Sequence, residues 1–237
     1  MSEISEAAPK VALLDADMMV YRIGFSCEDA EEKIACSRLT EWVTEIVYFA
    51  LGCEDYKAWI TGKTNFRNEV AVTVPYKGNR KDMVKPKHYD ALRHHLTRLG
   101  AVITEGEEAD DAVAIESCRG NYWIVHQDKD LNQLPGHHYN PVTDERYYVT
   151  EFEGLKNFYT QLLTGDRTDN IKGLDRIGPV KAEKILKDCK TEQELLQAVT
   201  KAYEDKGEPF DRLVENGQLL WLRREPGQIW RPPDATK

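Results

Sequence analysis

Eight carboxylates fall in four tight clusters along this chain: Asp15; Glu108, Asp110 and Asp111 in EADD; Asp128 and Asp130 in DKD; Asp166 and Asp169 in GDRTDN. Brought together by a fold, they would repel one another and resist ionisation unless a counter-charge sat among them. A hard, oxygen-seeking divalent ion, Mg²⁺ or Mn²⁺, is the natural counter-charge for such a set. A basic stripe lies between the clusters: Lys77, Arg80, Lys81, Lys85, Lys87, His88, Arg93, His94, His95 and Arg98. Phosphate binding depends on local positive charge of this kind, so the net charge of −9 is no argument against a nucleic-acid partner. Setting aside the clustered acids, the rest of the chain is close to neutral.

The elements that must carry these residues can be read from the hydrophobic pattern. VALLDA (11–16) is a compact apolar run ending in an acid, the form of a buried parallel strand whose carboxyl end opens onto a site. YKAWIT (56–61), AVIT (101–104) and YWIVHQD (122–128) have the same form. Helical spacing appears over 38–51, 86–99 and 108–118. Strand and helix in alternation predict a parallel α/β sheet, and in such sheets ligands gather outside the carboxyl ends of the strands. Asp15 and Asp128 each close a predicted strand, while Glu108, Asp110 and Asp111 open the helix after another. Three clusters are therefore expected at one edge.

From about 151 the pattern turns mostly helical, with a glycine-punctuated unit, GLDRIGPVKAEKIL (173–186). Gly178 and Pro179 are expected to end one helix and start the next, leaving backbone amides free to seat a phosphate. At 237 residues, 41% hydrophobic and 31% charged, the chain is long enough for one domain with a real core, or one domain and an appendage. Its five cysteines, Cys27, Cys36, Cys53, Cys118 and Cys189, are odd in number and lack CxxC spacing, which points to reduced thiols. No apolar run reaches a membrane span and the first residues have no signal-peptide pattern, so a cytoplasmic location and no membrane partner are expected.

Taken together, the motifs resemble the 5′-nuclease superfamily of flap endonucleases and 5′-3′ exonucleases. They appear in family order: LLDADMMVYR (13–22), YKGNR (76–80), EGEEADDAVA (105–114), HQDKDLNQL (126–134) and TGDRTDNIKGLDRIGPVKAEKIL (164–186). VPYKGNRKDMVKPKHYDAL and NGQLLWLRREPGQIWRPP look closest to the free-standing exonucleases of bacteriophages. The resemblance implies a PIN-like 5′-nuclease core over 1–150, with a basic arch at about 76–99. It implies a helical region over 151–237 that carries the helix-hairpin-helix (H3TH) unit and a tail packing back.

It also implies the chemistry: two divalent ions act on one phosphodiester, one activating water and the other stabilising the departing oxygen. By motif position Asp15, Glu108 and Asp110 hold the first Mg²⁺ or Mn²⁺, and Asp128, Asp130, Asp166 and Asp169 the second. Asp111 faces either ion or an outer water. A helix-capping role is the alternative for Asp169. Lys77 and Arg80 hold the scissile phosphate, and Tyr76 stacks on a terminal base. Lys81, Lys85 and Lys87 line the arch. Ile177, Gly178 and Lys181 grip duplex backbone at the helix-hairpin-helix, with a K⁺ held by main-chain carbonyls. The partner implied is DNA with a free 5′ end, as duplex, flap or primer-containing RNA/DNA hybrid, bound by a monomer that reads backbone rather than bases. For a bacteriophage protein the setting is the host cytoplasm, and the task the degradation of host DNA or removal of primers.

One departure stands out. Where the family ends the strand before YKGNR with an acid, this chain has WITGK, with Thr61 and Gly62 at that place and Phe66-Arg67 supplying the aromatic-Arg pair that follows. The first ion is expected to be held more loosely unless Asp17 or a water substitutes. Asp17 is otherwise not counted among the ligands. Two other readings stay open: a structure-specific DNA-binding protein with a weakened nuclease site, motivated by Thr61-Gly62, and a PIN-type ribonuclease. The 164–186 unit and YKGNR argue against the second.

Overall fold

The structure, a computed structural model, describes residues 8–80 and 83–233. Its centre is a sheet of six strands among the described residues: β1 (Val11–Asp15), β2 (Asp55–Ile60), β3 (Val102–Ile103), β4 (Trp123–Val125), β5 (Gly136–Asn140) and β6 (Glu145–Val149). They lie in the order β3-β2-β1-β4-β5-β6, all parallel except the β5-β6 hairpin. The parallel α/β sheet expected from the sequence is thus present, with an antiparallel hairpin added at one edge. β1 is apolar up to its closing acid, Asp15, because both of its faces are covered. Ala12 and Leu14 enter the core under α1 (Asp17–Ser26), α2 (Glu32–Thr44) and α4 (Tyr89–Arg98). Leu13, one residue out of phase, packs on the other face against Val113 and Ala114 of α5 (Ala109–Ser117).

Beyond the hairpin, α6 (Glu151–Thr164), α7 (Pro179–Leu186), α8 (Glu192–Asp205) and α9 (Phe210–Leu220) enclose a second core that includes Phe158, Leu162, Leu186, Val199 and Leu213. The chain then turns back over the second core and the α5 side of the sheet. Trp230 fills a slot made by Gly217, where an added Cβ would lie 2.2 Å from the indole, and Leu222 joins the α5 side of the sheet. No helix among the described residues is long and apolar enough to cross a membrane, and the five cysteines are free thiols.

Three sequence expectations need correcting here. The helix expected over 38–51 starts earlier, as α2, and continues as a π-helical turn over Glu45–Ala50. β4 stops at Val125, so Asp128 does not close the strand; it caps a 3-10 turn (Lys129–Gln133), its side chain accepting from the Asp130 amide at 3.0 Å. Gly178 caps α7 with Pro179 in its first turn, but breaks no helix. The preceding helix, α6, ends at Thr164, and a short hairpin of β7 (Gly165–Asp166) and β8 (Ile171–Lys172) separates the two.

Candidate active site

The carboxyl ends of the central strands bring the acids together. Asp15 is the last residue of β1, Glu108 and Asp110 open α5, Asp128 and Asp130 lie in the loop after β4, and Asp169 lies in the β7-β8 turn. All six line one cleft of about 1180 Å³, together with Lys77 and Arg80. The α5 start is favourable for acids because its unpaired amides and dipole attract negative charge; the Asp110 carboxylate accepts from the Asp111 amide at 2.7 Å. The loop after β4 is held from behind, where the His126 imidazole contacts the Asp128 carbonyl and Gln161 of α6 donates to Asp130.

The charges are unevenly compensated. Burial, with Asp17 and Asp128 nearby, pushes the Asp15 carboxyl up to about 8. Burial and the neighbouring Asp111 and Glu108 raise Asp110 far above the usual carboxylate range. Burial and Asp128 push Asp130 up to about 7. Among the described residues no lysine or arginine comes within ion-pair distance of Asp15, Asp110, Asp128 or Asp130. The other side of the cleft is neutralised from within. Glu108 receives the Tyr76 hydroxyl at 2.7 Å and the Lys77 ammonium at 2.5 Å, and Asp169 receives Tyr76 at 2.7 Å and Arg80 at 2.6 Å.

As they stand, no three His, Cys, Asp or Glu side chains among the described residues are grouped to grip one ion. The donor set nevertheless suits a hard divalent cation: it is all oxygen, and the carboxyls raised by burial, and further by their acidic neighbours, are ones whose ionised form a bound cation would favour.

Three residues expected at the cleft are placed elsewhere. Asp111, expected to face an ion or its water, is fully buried and clasped by Arg67, whose two Nη atoms donate to its two carboxylate oxygens. Arg67 also donates to the carbonyls of Leu219 and Trp221, tying the acid-bearing helix to the C-terminal segment. In the sequence Phe66-Arg67 shows only as a motif, because nothing in the local pattern says that Arg67 turns inward to make this joint. Tyr76, expected to stack on a base, is only 8% exposed; its ring is part of the second core and its hydroxyl bridges Glu108 and Asp169. The seventh expected ligand, Asp166, is buried in the neighbouring groove, where burial would raise it but Lys129 and the amides of Thr168 and Asp169 hold it below the usual range. No helix follows Asp169, so the capping alternative for it falls.

The departure at Thr61-Gly62 has a structural counterpart. Gly62 lies so close to the Thr104 carbonyl that a Cβ there would stand 1.9 Å from its oxygen, so this backbone has no room for an acid at 62. The Thr61 hydroxyl accepts from the Ala109 amide at 3.0 Å and so serves the start of α5. Asp17 does not stand free to substitute. It accepts from the Thr61 amide at 3.0 Å and pairs with Arg93 at 3.2 Å, and Arg93 also donates to the Thr61 carbonyl.

The basic stripe divides in the same way. Lys81 lies outside the described residues. Lys85 rests over the Tyr89 ring, Lys87 bonds Glu28, and Leu92 and Leu96 sink α4 into the first core. Ile177 and Gly178 line a groove of about 1170 Å³ beside the β7-β8 turn, and Lys181 is exposed on the first turn of α7. The segment over residues 75–79 is stitched to this groove: the Lys77 amide donates to the Asp169 carbonyl, Asn79 to that of Arg167, and Asn170 to that of Pro75.

No family model matches the chain. DNA polymerase I of Bacillus caldotenax is 30% identical over 250 residues, which cover 94% of this chain and 28% of that protein; the chain thus spans little more than a quarter of the length of this relative. Among solved structures, a bacteriophage T5 flap endonuclease in a complex with DNA and metal ions superposes with a TM-score of 0.63 at 18% identity, covering 89% of this chain and 88% of the other. Flap endonuclease-1 from Methanococcus jannaschii superposes with a TM-score of 0.61 at 12% identity, covering 93% and 81%.

Proposed function

Taking the 5′-nuclease fold of this chain as the premise, we propose that it is a divalent-metal-dependent nuclease that hydrolyses DNA phosphodiester bonds near a free 5′ end, as a 5′-3′ exonuclease and flap endonuclease. The observation that carries this reading is the single cleft in which acids from β1, α5, the loop after β4 and the β7-β8 turn face Lys77 and Arg80. Asp15, Asp110, Asp128 and Asp130 are the oxygens open to metal, with Glu108 and Asp169 beside them. A divalent ion there supplies an acidified water and charge neutralisation at the departing oxygen. Lys77 and Arg80, at the cleft edge, orient the phosphate and offset its charge, Arg80 in a two-pronged manner that a lysine does not reproduce. The groove at Ile177, Gly178 and Lys181 holds the duplex side of a substrate by its backbone, and a K⁺, if bound there, would add positive charge toward the phosphates. The protein works as a monomer in the cytoplasm.

A 5′-labelled duplex, a 5′ flap and the matched RNA, each offered with Mg²⁺, Mn²⁺ or chelator, test the proposal. Metal-dependent release of short 5′ products from DNA is the expected result, and cleavage of RNA alone would overturn it. The crowding at Gly62 favours one second reading, a DNA-structure-binding protein whose nuclease site is weakened. Metal-dependent binding of the flap without any cutting is the outcome that would select it.

A further inference from the structure

One wall of the cleft already holds a cation. Lys77 adopts a left-handed backbone (φ 51°), rare for a residue other than glycine, and its amide is fixed on the Asp169 carbonyl at 2.9 Å. This turn directs the side chain inward, where its ammonium stands 2.5 Å from Glu108 Oε1 and 3.7 Å from Asp169 Oδ2. Arg80 closes the far side of Asp169 at 2.6 Å. Opposite, Asp15, Asp110 and Asp128 have no such partner among the described residues. The cleft therefore offers a divalent ion two unequal places: one among unpartnered acids, the other where a lysine must first leave. Cations at such short range repel strongly in a partly dry site, and an oxygen bonded to an ammonium is a poorer ligand.

We propose that Lys77 is an internal latch: in the DNA-free protein its ammonium occupies the cation position between Glu108 and Asp169 and holds off a divalent ion there, and a DNA phosphate opens the position by drawing Lys77 away. This rests on the metal-dependent reading above. It makes DNA and metal mutually reinforcing ligands, each raising the affinity for the other by the same factor. A lysine that only served the reacting phosphate would leave metal binding in the absence of DNA unchanged.

Mn²⁺ titration of the whole protein, followed by electron paramagnetic resonance of the free ion, separates these cases. Without DNA, Lys77→Met should bind the latched ion more tightly, on the order of tenfold, about the effect of removing one screened neighbouring charge. Lys77→Gly, which relieves the left-handed backbone, should match it, while Lys77→Arg, keeping the charge, should stay near wild type. Adding a phosphorothioate duplex that resists cleavage should tighten Mn²⁺ in wild type and much less in Lys77→Met. Equal affinity of wild type, Lys77→Met and Lys77→Gly without DNA would overturn the latch, as would an equal gain from DNA in wild type and Lys77→Met. If wild type takes up no Mn²⁺ with or without DNA, the metal-dependent reading itself fails and the latch falls with it.

Discussion

At the joint behind α5, Asp111 is shut away from solvent with Arg67 across both its oxygens, the amides of Glu108 and Arg223 on the same carboxylate, and the carbonyls of Leu219 and Trp221 taking the rest of the guanidinium. One residue earlier in the chain, Asp110 faces the cleft with no lysine or arginine at ion-pair distance among the described residues, and its carboxyl, like those of Asp15 and Asp130, is driven upward by burial and by neighbouring carboxylates. The same residue type thus holds structure in one region and stores unrelieved charge in the other. A fold maintains the second arrangement only by over-determining it from outside, and the joint does part of that work.

Substitutions on the two sides should therefore separate activity from stability. The largest effect is expected in the cleft: Asp128→Ala should lower cleavage by more than the roughly 100-fold typical of losing an outer partner of a metal ligand, while leaving flap binding and thermal stability close to wild type. Retained cutting in a labelled-flap assay would remove Asp128 from the site. At the joint the expectation is reversed. Arg67→Ala strands a buried carboxylate and should cost roughly 3–5 kcal/mol of unfolding free energy by urea denaturation. Replacing the pair together by apolar residues, Arg67→Met with Asp111→Leu, should cost much less. If the single and double variants were equally unstable, packing rather than charge pairing would be what Arg67 supplies.

A smaller effect is expected where α9 reaches Val72 and Thr73. Glu215 is buried and accepts from the amides of Val72 and Thr73 and from the Thr73 hydroxyl. Burial would raise its carboxyl, but these bonds and Arg212 outweigh burial and hold it below its ordinary value of 4.5. With the folded value depressed, its stabilising contribution is present above pH 4.5 and fades as the pH falls through and below that value. Glu215→Gln should cost about 1–2 kcal/mol near neutrality and flatten the acid limb of the stability profile. An unchanged acid limb in denaturation between neutral pH and pH 3 would show that other groups set it.

The sequence made the sheet and most of the cleft legible because both rest on local signals. An apolar run ending in an acid marked β1, EADD ahead of a helical pattern marked the start of α5, and the positions of EADD, DKD and GDRTDN located the charge. What it hid were relations between distant segments. Whether Asp111 faces a cleft or an arginine depends on where Arg67 and the chain beyond Leu219 arrive. Whether Tyr76 is offered to a base or sunk in a core depends on α6 and α9. The β7-β8 hairpin was obscured because its strands are two residues each, too short for any period to register. The closed unit of Asp17, Thr61 and Arg93 was invisible because its members come from α1, the residue after β2, and α4.

The cations permit the same comparison at the smallest scale. Arg67, Lys77, Arg80 and Arg93 are all committed to carboxylates, and removing any of them disturbs an acid as well as a contact. Lys181 is exposed beside the Gly178 cap of α7, so neutralising it should subtract a phosphate contact and little else. Lys181→Ala should weaken binding of every duplex sequence alike. It should also reduce the slope of log affinity against log salt by about 1, with melting temperature and metal affinity unchanged. A loss that varied with base sequence would mean that α7 reads bases. An unchanged salt slope would take Lys181 off the DNA path and leave the groove at Ile177 and Gly178 to hold the backbone through its amides alone.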